Sequence, residues 1–369
     1  MLSPHPNVQG PIPKITQLLL DPLRAAGCEV TVEPWGRHTD AETLADKVSG
    51  RARDIVRVRS LVSAVSFDAI IVKTSHEWMS LLRDVPLLVA IRRRVPLIVM
   101  EFHGGRSDRL RERGSRAFKW ATLMLFQLSD GVFVLSSEEA RSASLFYPRG
   151  NFRVIVNPFQ SNEHDRHASR PDRLPAVPTL LFAGRLVPEK GIFDTLEAFA
   201  VLQARRPCHL VIAGIGPAAE GVASRVAALG LSGSVTLAGL LSHDELVAKY
   251  RAADIFVLPT YWAEGFPTVV AEAMSIGLPI VTTRLRGMAD HLKEGVNALF
   301  VPPRAPSALA DALGRLLEDD GLRRRMSTAN RAKVRDFEPV RAAEIYLRAL
   351  AELAASQQHR RERHSGRIA

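Results

Sequence analysis

Short apolar runs alternate with stretches of helical periodicity along the first 160 residues of the chain. Apolar runs of strand length predict β-strands at residues 29–32, 69–73, 96–102, 131–135 and 153–156. Helical periodicity lies between them at residues 11–26, 41–63, 77–94, 107–129 and 138–147. This alternation favours a parallel sheet with helices on both faces. No complete strand precedes the helix that starts at Pro11, so we expect a coding region that begins upstream.

The same alternation returns after a polar interruption at residues 161–178, which we predict to be an interdomain linker. Further strands are predicted at residues 179–183, 209–213, 235–238, 255–258, 279–282 and 298–301. Helices are predicted at residues 307–317, 321–336 and 339–355. The sequence therefore predicts an α/β protein with two doubly wound domains, residues 1–160 and 179–338. A closing helix at 339–355 and a basic polar tail at 356–369, expected to be disordered, follow them.

Composition excludes several classes of protein. The chain has 369 residues, of which 46% are hydrophobic and 24% charged, as in an ordinary globular protein. It has no apolar run of 18 residues and no signal-peptide pattern, so we expect a cytoplasmic protein. Cys28 and Cys208 are the only cysteines, which gives no disulfide framework. His164 and His167 have near-metal spacing but no suitable partners nearby, so no zinc site is predicted.

The net charge of +10 suggests an anionic partner. Nucleic acid is disfavoured because the chain contains no recognisable nucleic-acid module. The basic residues concentrate in one part of the first domain, at Arg92, Arg93, Arg94, Arg106, Arg109, Arg111, Arg113 and Arg116. Helical spacing would place Arg109, Arg113 and Arg116 on one face. Attachment to an anionic membrane surface and a merely solvated basic face are alternatives of similar weight.

The most informative stretch is residues 264–274, which follow the predicted strand at 255–258 and open a helix. Pro267 fits the first helical position, where its missing N–H is no loss. The backbone N–H groups of Gly265, Phe266, Thr268 and Val269 would then be available to an anion such as phosphate. Two carboxylates flank this helix start, Glu264 before it and Glu272 inside it. Such a pair can reach two parts of one extended ligand, although the helix dipole alone also favours acidic residues there.

Loops at the carboxyl ends of other strands carry further candidates, since ligands of open α/β sheets bind at that edge. Gly184, Arg185 and Lys190 follow the strand at 179–183 and offer two cations to an anion. The next loop contains Gly214 and Gly216 in a G-x-G-x-x-A pattern. No acidic residue ends the following strand, where Leu240 and Leu241 stand, which argues against a dinucleotide site. A tight turn without ligand contact is an equal alternative there.

In the first domain the candidate is His103, which follows the strand at 96–102 and precedes two glycines. A histidine at a strand end can face a ligand, although a lone histidine is more often simply packed. Gly10 stands in the loop before the first helix. No D-x-D triplet ends a predicted strand, so anion stabilisation by cations and helix dipoles is favoured over a divalent metal.

The stretch from Glu264 to Glu272 resembles the E-x7-E signature of retaining glycosyltransferases of family 4. Residues 184–191 are similar to the diphosphate-binding loop of that family, and His103 resembles its first-domain histidine. The resemblance implies the GT-B fold, in which two Rossmann-like domains face a central cleft. It departs at residues 286–290, where the family often has paired glycines and a glutamate.

The resemblance also implies roles for these residues. Arg185 and Lys190 would stabilise the departing nucleoside diphosphate, Glu264 and His103 would contact the donor sugar, and Glu272 would hold the ribose. The remaining donor-binding positions that it implies are Gly10, Gly184, Gly214, Gly216, Leu240, Leu241, Gly265, Phe266, Pro267, Thr268 and Val269. The first domain would bind the acceptor, and the closing helix would return to it.

The function implied by this resemblance is metal-independent transfer of a hexose-type sugar with retention, without a cofactor. The donor would be a UDP- or GDP-sugar and the acceptor a glycan or a lipid-linked glycan, as in bacterial cell-surface polysaccharide or glycolipid synthesis. The enzyme would be cytoplasmic or peripheral at the inner face of the membrane. Two alternatives remain, a nucleotide-sugar epimerase or phosphorylase on the same scaffold and a catalytically silent partner subunit.

Overall fold

A computed structural model describes residues 1–8, 10–36, 38, 39, 44–105, 110, 116–160 and 174–365 of the chain. Its contacts divide the chain into two compact units. The first unit comprises Met1–Gln160, Ala263–Gly265 and Phe337–Ala369, and the second comprises Ser161–Trp262 and Phe266–Asp336. Each unit is built around one parallel sheet, and each is described below by itself.

The first sheet has six strands in the order β2-β1-β3-β4-β5-β6, all parallel. The strands are β1 (Leu2–Ser3), β2 (Glu33–Pro34), β3 (Ala69–His76), β4 (Leu97–Gly105), β5 (Gly131–Val134) and β6 (Phe152–Val154). The helices of this unit are α1 (Pro11–Ala25), α2 (Leu44–Ala64), α3 (Trp78–Ile91), α4 (Arg116–Leu128), α5 (Ser137–Phe146) and α13 (Pro339–Ser365). Because both β3 and β4 are long and central, residues that alternate along them separate two cores.

One core contains Ile70, Val72, Ile98 and Met100 together with residues of α2, α3 and α4. The core on the opposite face contains Ile71 and Val99 with apolar residues of α1 and α13. Tyr346 of α13 is fully buried there, with its ring 5.1 Å from that of Phe133. The last helix of the chain is therefore part of the core of the first unit.

The second sheet also has six parallel strands, in the order β12-β11-β10-β7-β8-β9. Its strands are β7 (Thr179–Ala183), β8 (His209–Ala213), β9 (Val235–Gly239), β10 (Ile255–Leu258), β11 (Ile280–Thr283) and β12 (Leu299–Val301). Its helices are α6 (Ile192–Arg205), α7 (Ala219–Ala228), α8 (His243–Ala252), α9 (Thr268–Ile276), α10 (Arg286–His291), α11 (Pro306–Glu318) and α12 (Asp320–Lys333). Helix α6 packs against α11, and α9 packs against α12.

The predicted alternation of strands and helices is confirmed, and three strands have the predicted bounds, β7, β8 and β10. The strand predicted at 29–32 is wrong, because pairing with β1 occurs at Glu33 and Pro34 instead. Cys28 and Val30 pack against the core without joining the sheet, so their apolar character reflects burial in a loop.

The tail predicted to be disordered from residue 356 is helical as far as Ser365, since α13 continues through it. The segment 356–365 contains no glycine or proline and is rich in Gln, Arg and Glu, which favour helix. Gln357 also anchors it, because its side-chain amide donates to Pro96 O at 2.7 Å and to Asp130 Oδ1 at 2.9 Å.

Candidate functional site

The loops that follow β7, β8 and β9 are joined backbone to backbone at the carboxyl edge of the second sheet. The N–H of Gly184 donates to Ala213 O at 3.0 Å, and the N–H of Gly214 donates to Gly239 O at 2.8 Å. Leu186 N–H likewise donates to Ile215 O at 2.9 Å. Three loops that the sequence marked as ligand-binding candidates therefore form one continuous structure.

Gly214 and Gly216 are required by the close approach of these loops. A Cβ atom on Gly214 would lie 1.9 Å from Gly184 O, and the φ angle of Gly214 is 143°. A Cβ atom on Gly216 would lie 2.3 Å from Leu186 O. Contacts this short exclude any side chain. The G-x-G pattern thus has a structural cause in loop packing, and its contact with a nucleotide base stays a prediction.

The two cationic side chains of the loop after β7 differ in burial. Arg185 is exposed, whereas Lys190 is half-buried at the end of a short 3₁₀ turn, Pro188–Lys190. Gly191 follows in the left-handed region at φ 76°, and a Cβ atom there would lie 2.4 Å from Pro259 O. Tyr261 N–H donates to Glu189 O at 2.7 Å. The loop that carries both cations is therefore hydrogen-bonded to the loop after β10.

Helix α9 begins one residue later than predicted. Pro267 is its N-cap, with ψ 133°, and not the first helical residue, because its extended ψ keeps it outside the helix. The first helical N–H groups belong to Thr268 and Val269, and the first bond into the helix runs from Val270 N–H to Pro267 O at 3.0 Å. Thr268 and Val269 therefore lie at the helix start, a position that suits an anion, and their contact with one stays a prediction.

The residues just before α9 fall in both units. Glu264 is half-buried and groups with the first unit, as does Gly265, where a Cβ atom would lie 2.5 Å from Leu135 Cβ. Phe266 groups with the second unit, where its ring lies 5.3 Å from that of His291 in an edge-to-face arrangement. The pKa of His291 is lowered to about 4 by burial and by Lys333, so this ring is neutral beside Phe266 at neutral pH.

Glu272 has a partner that sequence reasoning missed. The hydroxyl of Tyr250, on α8, lies 2.9 Å from Glu272 Oε2 and 3.1 Å from Val269 O. Burial and then the Glu272 charge raise the pKa of Tyr250 well above its ordinary value, so the phenol stays protonated and donates. Tyr250 is the sole fully buried residue of α8 within the described structure, which the sequence could have indicated as burial but not as a contact with Glu272.

Further predicted residues of the second unit lie at the same sheet edge. Leu240 is 75% exposed directly after β9, and Leu241 beside it is half-buried. Arg286, where the family of the resemblance often has glycine, begins α10 with φ 43°, a conformation that favours glycine. The backbone therefore keeps a glycine-like shape there although the residue is an arginine.

Gly10 and His103 belong to the first unit. Gly10 caps α1 with φ 151° and precedes Pro11, the first helical residue. His103 lies near the end of β4, where its Nε2 is 2.7 Å from Glu101 Oε1. Lys73 Nζ contacts the same carboxylate oxygen at 2.7 Å, and the Tyr346 hydroxyl donates to Oε2. Sequence reasoning missed Lys73 and Glu101, although two charges within apolar strands are a sign of pairing.

Several predictions fall outside the described residues. Arg106, Arg109, Arg111 and Arg113 of the basic patch lie there, as do His164 and His167 of the linker. Among the described residues, no group of three or more His, Cys, Asp or Glu side chains is arranged to hold a metal ion. No helix within the described ranges combines the length and the apolar composition that crossing a bilayer requires.

Comparison with solved structures identifies the architecture. Sucrose-phosphate synthase from Thermosynechococcus elongatus superimposes with a TM-score of 0.71 at 22% identity, covering 93% of each chain. HepE of Anabaena in complex with UDP has a TM-score of 0.67 at 18% identity, covering 88% of this chain and 86% of that one. The chain has the GT-B fold. At these identities the likeness concerns the fold alone.

Sequence comparison adds a family and curated relatives. Residues 166–333 match the family of glycosyl transferases group 1. Alpha-D-kanosaminyltransferase of Streptomyces kanamyceticus is 32% identical over 57% of this chain and 56% of its own. D-inositol 3-phosphate glycosyltransferase of Corynebacterium glutamicum is 31% identical over 68% of this chain and 65% of its own. The chain thus spans between 56% and 66% of its first three curated relatives.

Proposed function

We propose that the protein transfers a sugar from a nucleoside-diphosphate sugar to an acceptor hydroxyl. One observation carries this proposal. Arg185 and Lys190 lie in one loop at the carboxyl edge of the second sheet, and a backbone hydrogen bond joins that loop to the loop after β10. Cations placed there in advance suit a departing diphosphate, whose negative charge grows in the transition state. The match of residues 166–333 to glycosyl transferases group 1 supports the same conclusion.

Within this proposal each predicted residue has a role. Arg185, Lys190 and the first N–H groups of α9 stabilise the diphosphate, with no divalent metal. Glu272, held by Tyr250, accepts hydrogen bonds from the ribose hydroxyls. Glu264 and His103 contact the sugar, and Glu264 stabilises positive character at the sugar ring. Retention of configuration at the anomeric carbon, as in family 4, is part of the proposal.

The donor is a hexose-type UDP- or GDP-sugar, and the acceptor a glycan or lipid-linked glycan of a bacterial surface polysaccharide or glycolipid. The complexes of Anabaena HepE with UDP and with UDP-glucose support a UDP-sugar as the first donor to test. No cofactor takes part in this scheme, because the diphosphate itself is the leaving group.

Incubation of the full chain with UDP- and GDP-hexoses in the absence of acceptor tests the proposal. We expect slow release of nucleoside diphosphate and free sugar from one donor, because water replaces the missing acceptor. An epimerase would instead change the sugar without releasing the diphosphate, and a phosphorylase would require inorganic phosphate. Binding without turnover of any donor, even with acceptor glycans added, would favour the alternative that the protein is a catalytically silent partner subunit. The assay includes EDTA, and activity that returns only with Mg²⁺ or Mn²⁺ would contradict the metal-independent part.

An exposed apolar surface in the first unit supports the proposal of a peripheral location. Helix α3 exposes Met79, Leu82, Pro86 and Val89, whose spacing of three and four residues places them on one face. The ring of Trp78 on this helix lies 6.2 Å from that of Phe118 on α4, so the two helices share a surface. Exposed tryptophan and aliphatic side chains on one surface suit the boundary between lipid headgroups and acyl chains.

Helix α4, which packs against α3, also exposes a large apolar side chain, Trp120, which is as exposed as Met79, at 64%. Exposed arginines accompany it, Arg93 just after α3 and Arg116 in the first turn of α4. A cation near an anionic leaflet contributes about 1 kcal/mol of binding free energy. We propose that this apolar and basic surface attaches the protein to the inner face of the membrane.

Vesicle sedimentation tests the attachment. Binding is expected to rise with the fraction of phosphatidylglycerol, to fall with salt, and to drop more than about tenfold when Met79, Leu82 and Trp120 are all changed to serine. Leu145→Ser is the matched control, since Leu145 is also 64% exposed in the first unit but lies on α5. Equal binding to neutral and anionic vesicles would contradict the proposal, as would a serine variant that keeps its lipid binding.

A further inference from the structure

Four polar side chains meet in the core between the first sheet and α13. Lys73 of β3 and Glu101 of β4 are cross-strand neighbours in register, and His103 lies two residues further along β4 on the same face. Tyr346 approaches from α13. The side chain of His103 is only 4% exposed, and the other three are buried still more fully.

Glu101 is the centre of this cluster. One of its oxygens lies 2.7 Å from both Lys73 Nζ and His103 Nε2, and the other accepts the Tyr346 hydroxyl. Lys73 Nζ also lies 5.3 Å above the Tyr346 ring. Burial by itself would raise the pKa of Glu101, but Lys73 and His103 outweigh burial and lower it to about 2. Glu101 is therefore ionised throughout the neutral range.

A buried ion pair is not by itself an efficient way to stabilise a fold, since well-packed apolar residues often do as well. Lys73 and Glu101 lie among the apolar side chains of Ile71, Val99 and Phe133, where such residues would fit. The pair has one consequence that apolar residues could not provide. It places a fixed carboxylate against one nitrogen of His103.

The two ring nitrogens of His103 therefore differ. Both nitrogens are buried and neither makes a hydrogen bond of regular geometry within the described structure, but Nε2 lies 2.7 Å from Glu101 Oε1. The carboxylate favours a proton on Nε2, and a neutral ring then carries its lone pair on Nδ1.

We propose that Glu101 is a positioning residue that fixes the proton of His103 on Nε2, so that Nδ1 accepts a hydrogen bond from a hydroxyl of the sugar. Lys73 and Tyr346 hold Glu101 in place, which makes the closing helix α13 part of the support for His103. This inference rests on the proposed function, in which His103 contacts the donor sugar. It assigns three residues of the first unit, Lys73, Glu101 and Tyr346, to the support of His103.

Long-range ¹H–¹⁵N spectra of the imidazole groups test the proton position directly. With the His103→Gln variant to assign the signals, we expect His103 in the full chain to show the Nε2–H tautomer. Glu101→Gln should convert it to a mixture of tautomers. A wild-type His103 that carries its proton on Nδ1 would overturn the proposal whether or not any sugar is transferred, whereas failure of the donor assay alone would overturn only the proposed function.

Activity provides the second test. Glu101→Gln is expected to lower kcat at least about fivefold, with a smaller change in donor KM, because the imidazole loses the carboxylate that positions it. Lys73→Met combined with Glu101→Gln removes both charges and should fold even if Glu101→Gln alone does not. Tyr346→Phe keeps both charges and should lower kcat less than Glu101→Gln does.

One control separates positioning from general loss of stability. Asp84→Asn alters another buried carboxylate of this unit, whose Oδ1 accepts hydrogen bonds from Arg83 Nε at 2.7 Å and from Trp35 Nε1 at 3.0 Å. It should lower the melting temperature without changing the His103 tautomer. Equal effects of Glu101→Gln and Asp84→Asn on the imidazole signals would contradict the proposal.

Discussion

Replacing Gly214 by alanine is expected to lower the free energy of unfolding of the second unit by about 3 to 6 kcal/mol. The new Cβ atom would lie 1.9 Å from Gly184 O, which is backbone and cannot rotate away. The φ angle of 143° adds strain for any residue with a side chain. The loops after β7 and β8 would have to separate, so binding of UDP or GDP should weaken as well. Denaturant unfolding and calorimetric titration measure the two effects.

Two other glycines calibrate this result. Gly230 has φ 69° with open space around the position of a Cβ atom, so Gly230→Ala isolates the conformational cost, about 1 to 2 kcal/mol. A Cβ atom on Gly216 would lie 2.3 Å from Leu186 O, but Gly216 has no positive φ. Gly216→Ala therefore isolates the steric clash of the Cβ atom with the backbone. Gly214→Ala combines the two and should be the most damaging. If it proves no worse than Gly230→Ala, the loops are not packed as described.

The alternation of strands and helices could be predicted from the sequence because the information that determines it is local. An apolar run bounded by polar residues predicts β7 or β10 without reference to the rest of the chain, and the alternation with helices then favours parallel sheets. The strand at 29–32 was predicted wrongly because burial in a loop and burial in a sheet give the same apolar pattern. Only the pairing of Leu2 with Glu33 distinguishes them, and pairing is not local.

The candidate site was predictable only in part, for the same reason. Arg185, Glu264 and Glu272 stand in motifs whose spacing can be recognised, and their roles remain predictions. Their supporting contacts join distant positions. Tyr250 is 22 residues from Glu272, and Tyr346 is 245 residues from Glu101. No periodicity or motif encodes such contacts, since each depends on how the elements pack.

Arg185→Ala and Lys190→Ala are each expected to lower turnover of the nucleoside-diphosphate sugar by more than about tenfold. A charge-assisted hydrogen bond to a developing anion contributes roughly 1.5 to 3 kcal/mol, which corresponds to a factor of about 10 to 150 in rate. Arg185 is exposed and Lys190 only half-buried, so neither change should alter the melting temperature by much. The double variant should lose more than either single one, but less than the product, because both cations act on one diphosphate.

Arg185→Lys keeps the charge and removes the planar fork of the guanidinium, so it should lose only part of the activity that Arg185→Ala loses. Arg315→Ala is the matched control, since Arg315 is an exposed arginine of the same unit on α11. Its turnover should stay within about twofold of the unmodified protein. Steady-state rates of UDP or GDP release, compared at saturating donor, measure the series. Near-normal rates in the double variant would show that the diphosphate is stabilised elsewhere, and would leave the first N–H groups of α9 as the remaining anion site of this sheet edge.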